Sequence, residues 1–290
     1  LLYLSPFEIV NIQQVCVLIG CSELPEYAMD ALTGPFIRYD QSERQYELHS
    51  ILCQLLIQKR GERGVLFEQE CLLRAGDFCR DQGNSAEALG FYAQIRDYER
   101  ILSLDLSHMT LEIIDNMPFS ELAQDIVCNC SIGIKKRRIL SMLQIAWTLL
   151  MAGMKEQYFK LMDELHDMPE LLENSNLLGE WMLLFSYRSF PHVSDMTATL
   201  MEAAPLFKGK CSQVILPTAP WCFGNFSPLT EFYTTPGEAD HEADALEEYI
   251  AIYSRLTNGH GSGADTLFRA ELAYQRGNLS DAEILAYKAA

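Results

Sequence analysis

The sequence predicts an all-α protein, a small winged unit at the start followed by an array of helical hairpins. Three observations lead there. Leu outnumbers Val 41 to 7, and scarce β-branched residues favour helices over sheets. The spacing changes from helical to alternating over residues 35–48, which marks a strand hairpin. A weak pattern of small residues and glycines recurs through the remainder.

Ser5-Pro6-Phe7-Glu8 has the make-up of a helix start, with Ser5 as cap, Pro6 in the first turn and Glu8 closing a capping box. Ile9, Ile12, Val15, Cys16 and Ile19 then follow one helical face until Gly20. A second helix is expected from near Pro25 to Thr33-Gly34. Pro35 to Tyr39 forms a strand, Asp40 to Glu43 a turn, and Gln45 to Leu48 the returning strand. A third helix starts at His49 and turns Ile51, Leu52, Leu55 and Leu56 inward. Helix, helix, hairpin, helix is the order of a winged-helix unit, assigned to residues 1–62.

His49 stands where the returning strand hands over to the third helix. Free backbone N–H groups and the positive end of the helix dipole suit that place to an anion. The plainer role is a helix cap, or packing against the wing.

Residues 63–290 form the second expected domain. Ala75-Gly76, Cys79, Gly83, Ala88 and Tyr92 match the small, apolar and turn positions of a tetratricopeptide helix pair. The same frame fits Ala146, Leu149, Gly153, Tyr158 and Met162, and again Ala270, Ala273, Gly277, Ala282 and Ala286. Small residues let paired helix axes approach closely, and stacked pairs bury what one pair leaves open. Asp97 to Cys130 is expected to supply an intervening pair. Ile139 to Met154 is the longest apolar run, interrupted by Ser141, Gln144 and Thr148, and reads as a core helix too short to span a bilayer.

From Pro205 to Gly237 prolines and aromatics interrupt the array. A long loop inside a compact array is often functional. Trp221, Phe223, Phe226 and Tyr233 are therefore candidate ligand-pocket residues, the alternative being a cover over an apolar seam.

The formal net charge of −18 argues against nucleic-acid binding and against docking on an anionic membrane. Lys135-Lys136-Arg137-Arg138 is the single basic run and fits a solvated turn or helix start. Nine cysteines at no framework spacing fit reduced thiols in a cytoplasmic protein, with no metal site. Gly259-His260-Gly261-Ser262-Gly263 lacks the Lys-Ser/Thr of a phosphate loop and reads as a flexible link. No catalytic constellation is present in the sequence. The chain opens at Leu1 without Met and stops at Ala290 inside a helical pattern, as an interior piece of a longer protein would.

Leu4-Ser5-Pro6-Phe7-Glu8, Pro35-Phe36-Ile37 leading to Tyr46-Glu47-Leu48-His49, and Ala75-Gly76 through Ala88 and Tyr92 resemble the middle of a MalT-like transcriptional regulator of the LuxR type. These belong to the signal-transduction ATPases with numerous domains. The resemblance is strong over the first 100 residues and diffuse beyond, where Gly259 to Ala289 looks like the later repeats. It implies a winged-helix and sensor portion without the ATPase or DNA-binding domain, so ATP or ADP would bind only in the full-length protein. There His49 would contact nucleotide phosphates. The implied partners are an inducer small molecule or regulatory protein, the protein's own ATPase domain and other protomers. A tetratricopeptide-type peptide-binding scaffold is the competing expectation.

Overall fold

The computed structural model describes residues 1–114, 116–219 and 227–289, and they are mostly helical: seventeen α-helices against five short strands among the described residues. The chain forms two units, Leu1–Leu104 with Ile114–Asn116, and Asp105–Ile113 with Met117–Ala290.

The first unit opens with a 3-10 turn at Leu2–Leu4, then β1 (Ile9–Val10), α1 (Ile12–Ile19), α2 (Glu26–Leu32), β2 (Ile37–Asp40), β3 (Gln45–Leu48) and α3 (Ser50–Glu62). The strands make an antiparallel sheet of order β1-β3-β2. Arg38 pairs with Glu47 and Tyr39 with Tyr46 across β2 and β3, the latter with rings 4.8 Å apart. The connecting turn is held by the Asp40 carboxylate, which accepts from the Ser42 hydroxyl and from the N–H groups of Ser42 and Glu43.

The first helix does not start at Ser5. Asn11 caps α1, its side chain accepting from the Gln14 N–H at 2.8 Å. Residues 9–10 are taken instead as a strand against β3, and the Ser5 hydroxyl accepts from buried Arg60 at 3.1 Å. The inner face of α3 also differs from expectation. Leu56 is buried as expected and Leu52 half-buried, but Ile51 and Leu55 are exposed and Cys53 and Arg60 are buried instead, because the helix packs on the opening turn and on the next helix.

That next helix, α4 (Val65–Asp81), and α5 (Ser85–Gln94) and α6 (Tyr98–Ile101) complete the unit. Compactness therefore extends past residue 62. Helix α4 packs on α1 and α3, Phe7 sits edge-on to Phe78 and Phe91, and Arg74 donates to the Leu18 carbonyl at 2.8 Å. Burial pushes the thiols of Cys71 and Cys79 on α4 up to about 11 and about 12.

The second unit contains α7 (Phe119–Asn129), α8 (Ile132–Arg137), α9 (Ile139–Met151), α10 (Lys155–His166), α11 (Pro169–Leu172) and α12 (Ser175–Phe185). Beyond a 3-10 turn at Ser186–Ser189 come α13 (Val193–Ala203), α14 (Pro228–Phe232), α15 (Ala239–Leu256), α16 (Ala264–Gln275) and α17 (Leu279–Ala289). Two-residue strands at Ile113–Ile114 and Met117–Pro118 precede α7. The stretch from Asp97 to Cys130 is thus no regular hairpin, since one of its helices is only four residues long. Helix α9 is the core helix, with every residue from Ser141 to Leu150 buried. The basic run is not wholly solvated: Lys135 is buried, donating to the Val127 carbonyl and to both Glu164 carboxylate oxygens at 2.9–3.0 Å.

Three helix pairs, α4–α5, α9–α10 and α16–α17, turn through Gly83, Gly153 and Gly277, whose φ values of 80°, 73° and 79° suit glycine. Each glycine N–H donates to the carbonyl three residues back, and the next residue's N–H reaches five back. Close approach is severe at Gly76. A Cβ there would stand 2.5 Å from Tyr92 Cε1, and Tyr92 is fully buried with its O–H donating to Asp77 at 2.8 Å. Gly76→Ala is expected to lower stability by about 1–3 kcal/mol, outweighing a helix-propensity gain of about 0.5–1 kcal/mol. The urea midpoint of the variant checks this.

Candidate functional site

A concavity lies in the second unit, where the end of α9, the start of α10, the 3-10 turn after α12 and α14 border about 530 Å³. Leu150 and Met151 supply its wall from α9, Phe159 from α10 and Phe190 from the segment before α13. These positions follow from the core: α9 must end where Gly153 turns the chain, so its last residues are left facing the space beside α10.

Charged groups at the rim are unequal. Arg188 lies over the rings of Phe159 and Phe185, at 5.2 and 5.3 Å, and donates to both oxygens of Asp163 at 3.0 and 3.2 Å. Its charge is thereby matched. Lys155 is exposed at the first position of α10, and Glu231 lines the opposite side on α14.

Tyr187 links this cavity to the interior. Its hydroxyl donates to Tyr253 at 2.8 Å, and the Tyr253 hydroxyl meets His260 Nδ1 at 2.7 Å. A chain running outward-in, Tyr187 to Tyr253 to imidazole, requires the Nε2–H tautomer of His260. Trp147 of α9 stands edge-on to the imidazole with ring centres 6.3 Å apart. Tyr249 stacks on Tyr253 at 5.3 Å, and its fully buried hydroxyl has no hydrogen-bond partner among the described residues. Burial, reinforced by the neighbouring Tyr187, holds it well above the ordinary tyrosine range. Burial likewise raises Tyr158, whose O–H donates to the Leu184 carbonyl at 2.6 Å.

The glycine-rich stretch is consequently a defined turn and not a loose link. Gly259, Gly261 and Gly263 all have positive φ, and His260 between them is buried. On α12 the Glu180 carboxylate is buried too, accepting from the Ser212 hydroxyl and the Gln213 N–H, both at 2.6 Å. Ser212 Oγ in turn accepts from the N–H groups of Val214 and Ile215 at 3.0 Å. Glu180 so anchors the segment after α13.

Of the residues singled out in sequence, Trp221, Phe223 and Phe226 lie outside the described residues. Tyr233 is separate from the cavity lining; its hydroxyl accepts from the Gly237 N–H at 2.9 Å. His49 caps α3, its Nδ1 accepting from the Ile51 N–H at 3.3 Å, and its exposed ring lies edge-on to Phe36. Tyr187, Tyr253, His260 and Glu180 were not anticipated. Two signals pointed to them: a histidine bracketed by glycines, and one carboxylate inside the apolar run Leu177 to Leu184.

Among the described residues no group of three or more His, Cys, Asp and Glu converges to hold a metal, and no helix is long and apolar enough to cross a membrane. Comparison with protein-family models, curated proteins and solved structures gives no match for the chain.

Burial raises the Glu180 carboxyl from 4.5 to about 7, against the lowering effect of the Ser212 and Gln213 hydrogen bonds. The folded state therefore keeps a proton that the unfolded state has lost between those values. Stability falls as pH rises through that window, by about 3 kcal/mol for a shift of this size. Glu180→Gln is expected to remove this loss. Denaturant titrations at pH 5 and pH 8 check it, the wild type losing about 2–3 kcal/mol more than the variant.

Proposed function

We propose that the chain is the signal-sensing and protein-interaction segment of an ATP-dependent regulator of the MalT-like LuxR type, acting without catalysis of its own. In this assignment the first unit contains a winged-helix domain over residues 1–62, and residues 63–290 a tetratricopeptide-like sensor. The order of β1, α1, α2, β2, β3 and α3 supports the first part. The three glycine turns with one hydrogen-bond pattern support the second. The protein acts in the cytoplasm, with an inducer small molecule or regulatory protein as ligand and its ATPase domain and other protomers as partners. ATP or ADP belongs to the full-length protein, where His49 would contact nucleotide phosphates.

The observation that carries the sensing role is the cavity of about 530 Å³ whose lining includes Tyr187. That volume lies in the range of small-molecule sites, and apolar walls with a few polar groups are their usual chemistry. A ligand that fills it better in one conformation shifts the population toward that form by its differential affinity. Tyr187 would feel such a ligand directly and pass the change to Tyr253 and His260 through the hydrogen bonds between them.

A thermal-shift screen of this chain against sugars, small organic acids, amino acids and nucleotides tests this. One class is expected to raise the unfolding temperature in a concentration-dependent way, and Met151→Trp, which fills the cavity, is expected to abolish the rise. Silence for every class, or a rise that Met151→Trp leaves unchanged, would remove the cavity from the sensing role.

A further inference from the structure

A second concavity of about 530 Å³ runs between α14, α16 and α17 and shares no lining residue with the first. Leu229 closes its floor and is 4% exposed, with Ala270 beside it. Ala282 and Ala286 face it from α17, so the backbone of an occupant can come close. Tyr274 and Leu279 stand at its rim and are 67% and 62% exposed. Helix α17 has no buried residue at all. Large apolar side chains lined up along an open groove of this kind mark an interaction surface.

Charge decides the occupant. The charged residues among the described lining are Glu271 and Glu283, with no Lys or Arg. Glu271 already accepts from the Leu229 N–H at 2.9 Å, which fixes its carboxylate at the groove edge. Asp281 lies exposed on α17 as well. An acidic-edged groove in a chain of net charge −18 repels a second copy of itself and any acidic segment. Alanines in the groove favour a helix over an extended strand, since the described lining lies on three helices and presents no strand edge for pairing.

We propose that the groove between α14, α16 and α17 docks an amphipathic helix of a partner protein, apolar along one face and carrying Lys or Arg along its edges. The docked helix lays its apolar residues over Ala270, Ala282 and Ala286 and sets its basic residues against Glu271 and Glu283. This deepens the protein-interaction role proposed above and rests on it. The two fail separately, because the cavity and the groove share no lining residue.

The test is fluorescence anisotropy with three labelled peptides of about 18 residues, roughly 27 Å as helices. One is a Leu/Lys amphipathic helix, one its Leu/Glu counterpart, and one a scramble of the first that keeps its composition. The Leu/Lys helix is expected to bind at least tenfold tighter than either control. Ala286→Arg, at an exposed position, is expected to weaken it at least tenfold with the unfolding temperature unchanged, and Glu283→Lys to weaken it severalfold. Met151→Trp is expected to leave this binding as it was. Equal binding of the scramble would reduce the effect to bulk charge and overturn the proposal, as would full binding by Ala286→Arg. Sedimentation showing self-association of the chain that Ala286→Arg abolishes would assign the groove to a second copy instead.

Discussion

Helix α9 is buried on every side, and this enclosure dictates what the chain around it can do. Three of its polar side chains, Ser141, Gln144 and Thr148, go into the core with it, and a buried polar group without a partner costs about 1–3 kcal/mol. Gln144 answers this with a full set of bonds. Its Nε2 donates to Asp105 and to the Gln213 carbonyl, each at 3.1 Å, and its Oε1 accepts from the Leu106 N–H at 3.1 Å. Thr148 meets Thr110 and the Gln144 carbonyl. One amide thus draws in two segments far apart in sequence. The second of them is the one that Glu180 holds from the other side.

Where a residue type enforces a backbone shape, the sequence was enough. Gly20 ends α1 with φ of 76°, and the turns at Gly83, Gly153 and Gly277 each stand between paired helices. His49 caps the helix it was expected to begin. The hairpin of β2 and β3 was visible through its alternation. Local chemistry misled at Ser5, where a sound capping box lost to long-range terms. Pairing of Ile9 and Val10 with β3, and the bond from Arg60 fifty-five residues away, outweigh one cap worth about 1 kcal/mol. A two-residue strand has no period to detect, so β1 left no trace in the spacing. The inward face of α3 was misjudged for a related reason. Ile51 and Leu55 satisfy a helical stripe with Leu56, yet tertiary packing kept Leu56 and took Cys53 and Arg60 in their place.

The site was harder to see than the fold. Its described walls come from residues between 150 and 190 and from Thr230 and Glu231, and no spacing along the chain links such segments. The aromatic segment drew attention for its composition; Trp221, Phe223 and Phe226 lie outside the described residues, and Tyr233 holds a local turn. His260 was hidden by its neighbours. Glycines suggested looseness, whereas their positive φ values fold the turn inward and seat the imidazole on Tyr253. Glu180 looked like one acid among many until burial and two short hydrogen bonds set it apart.

The cysteines turn this packing into a practical handle. Cys71 and Cys79 are enclosed, with thiols raised so far that almost no thiolate exists near neutral pH. Cys128 and Cys211 are exposed, one on α7 and the other next to the Ser212 that bonds Glu180. Alkylating reagents act on accessible thiolate, so native labelling should favour these two over the enclosed pair. A fluorophore or spin label on Cys211 would then sit one residue from the anchored segment, and a second on Cys128 would offer a reference point within the same unit. With Cys21 and Cys222 replaced by serine, the distance between the two labels gives the second unit a ruler of its own.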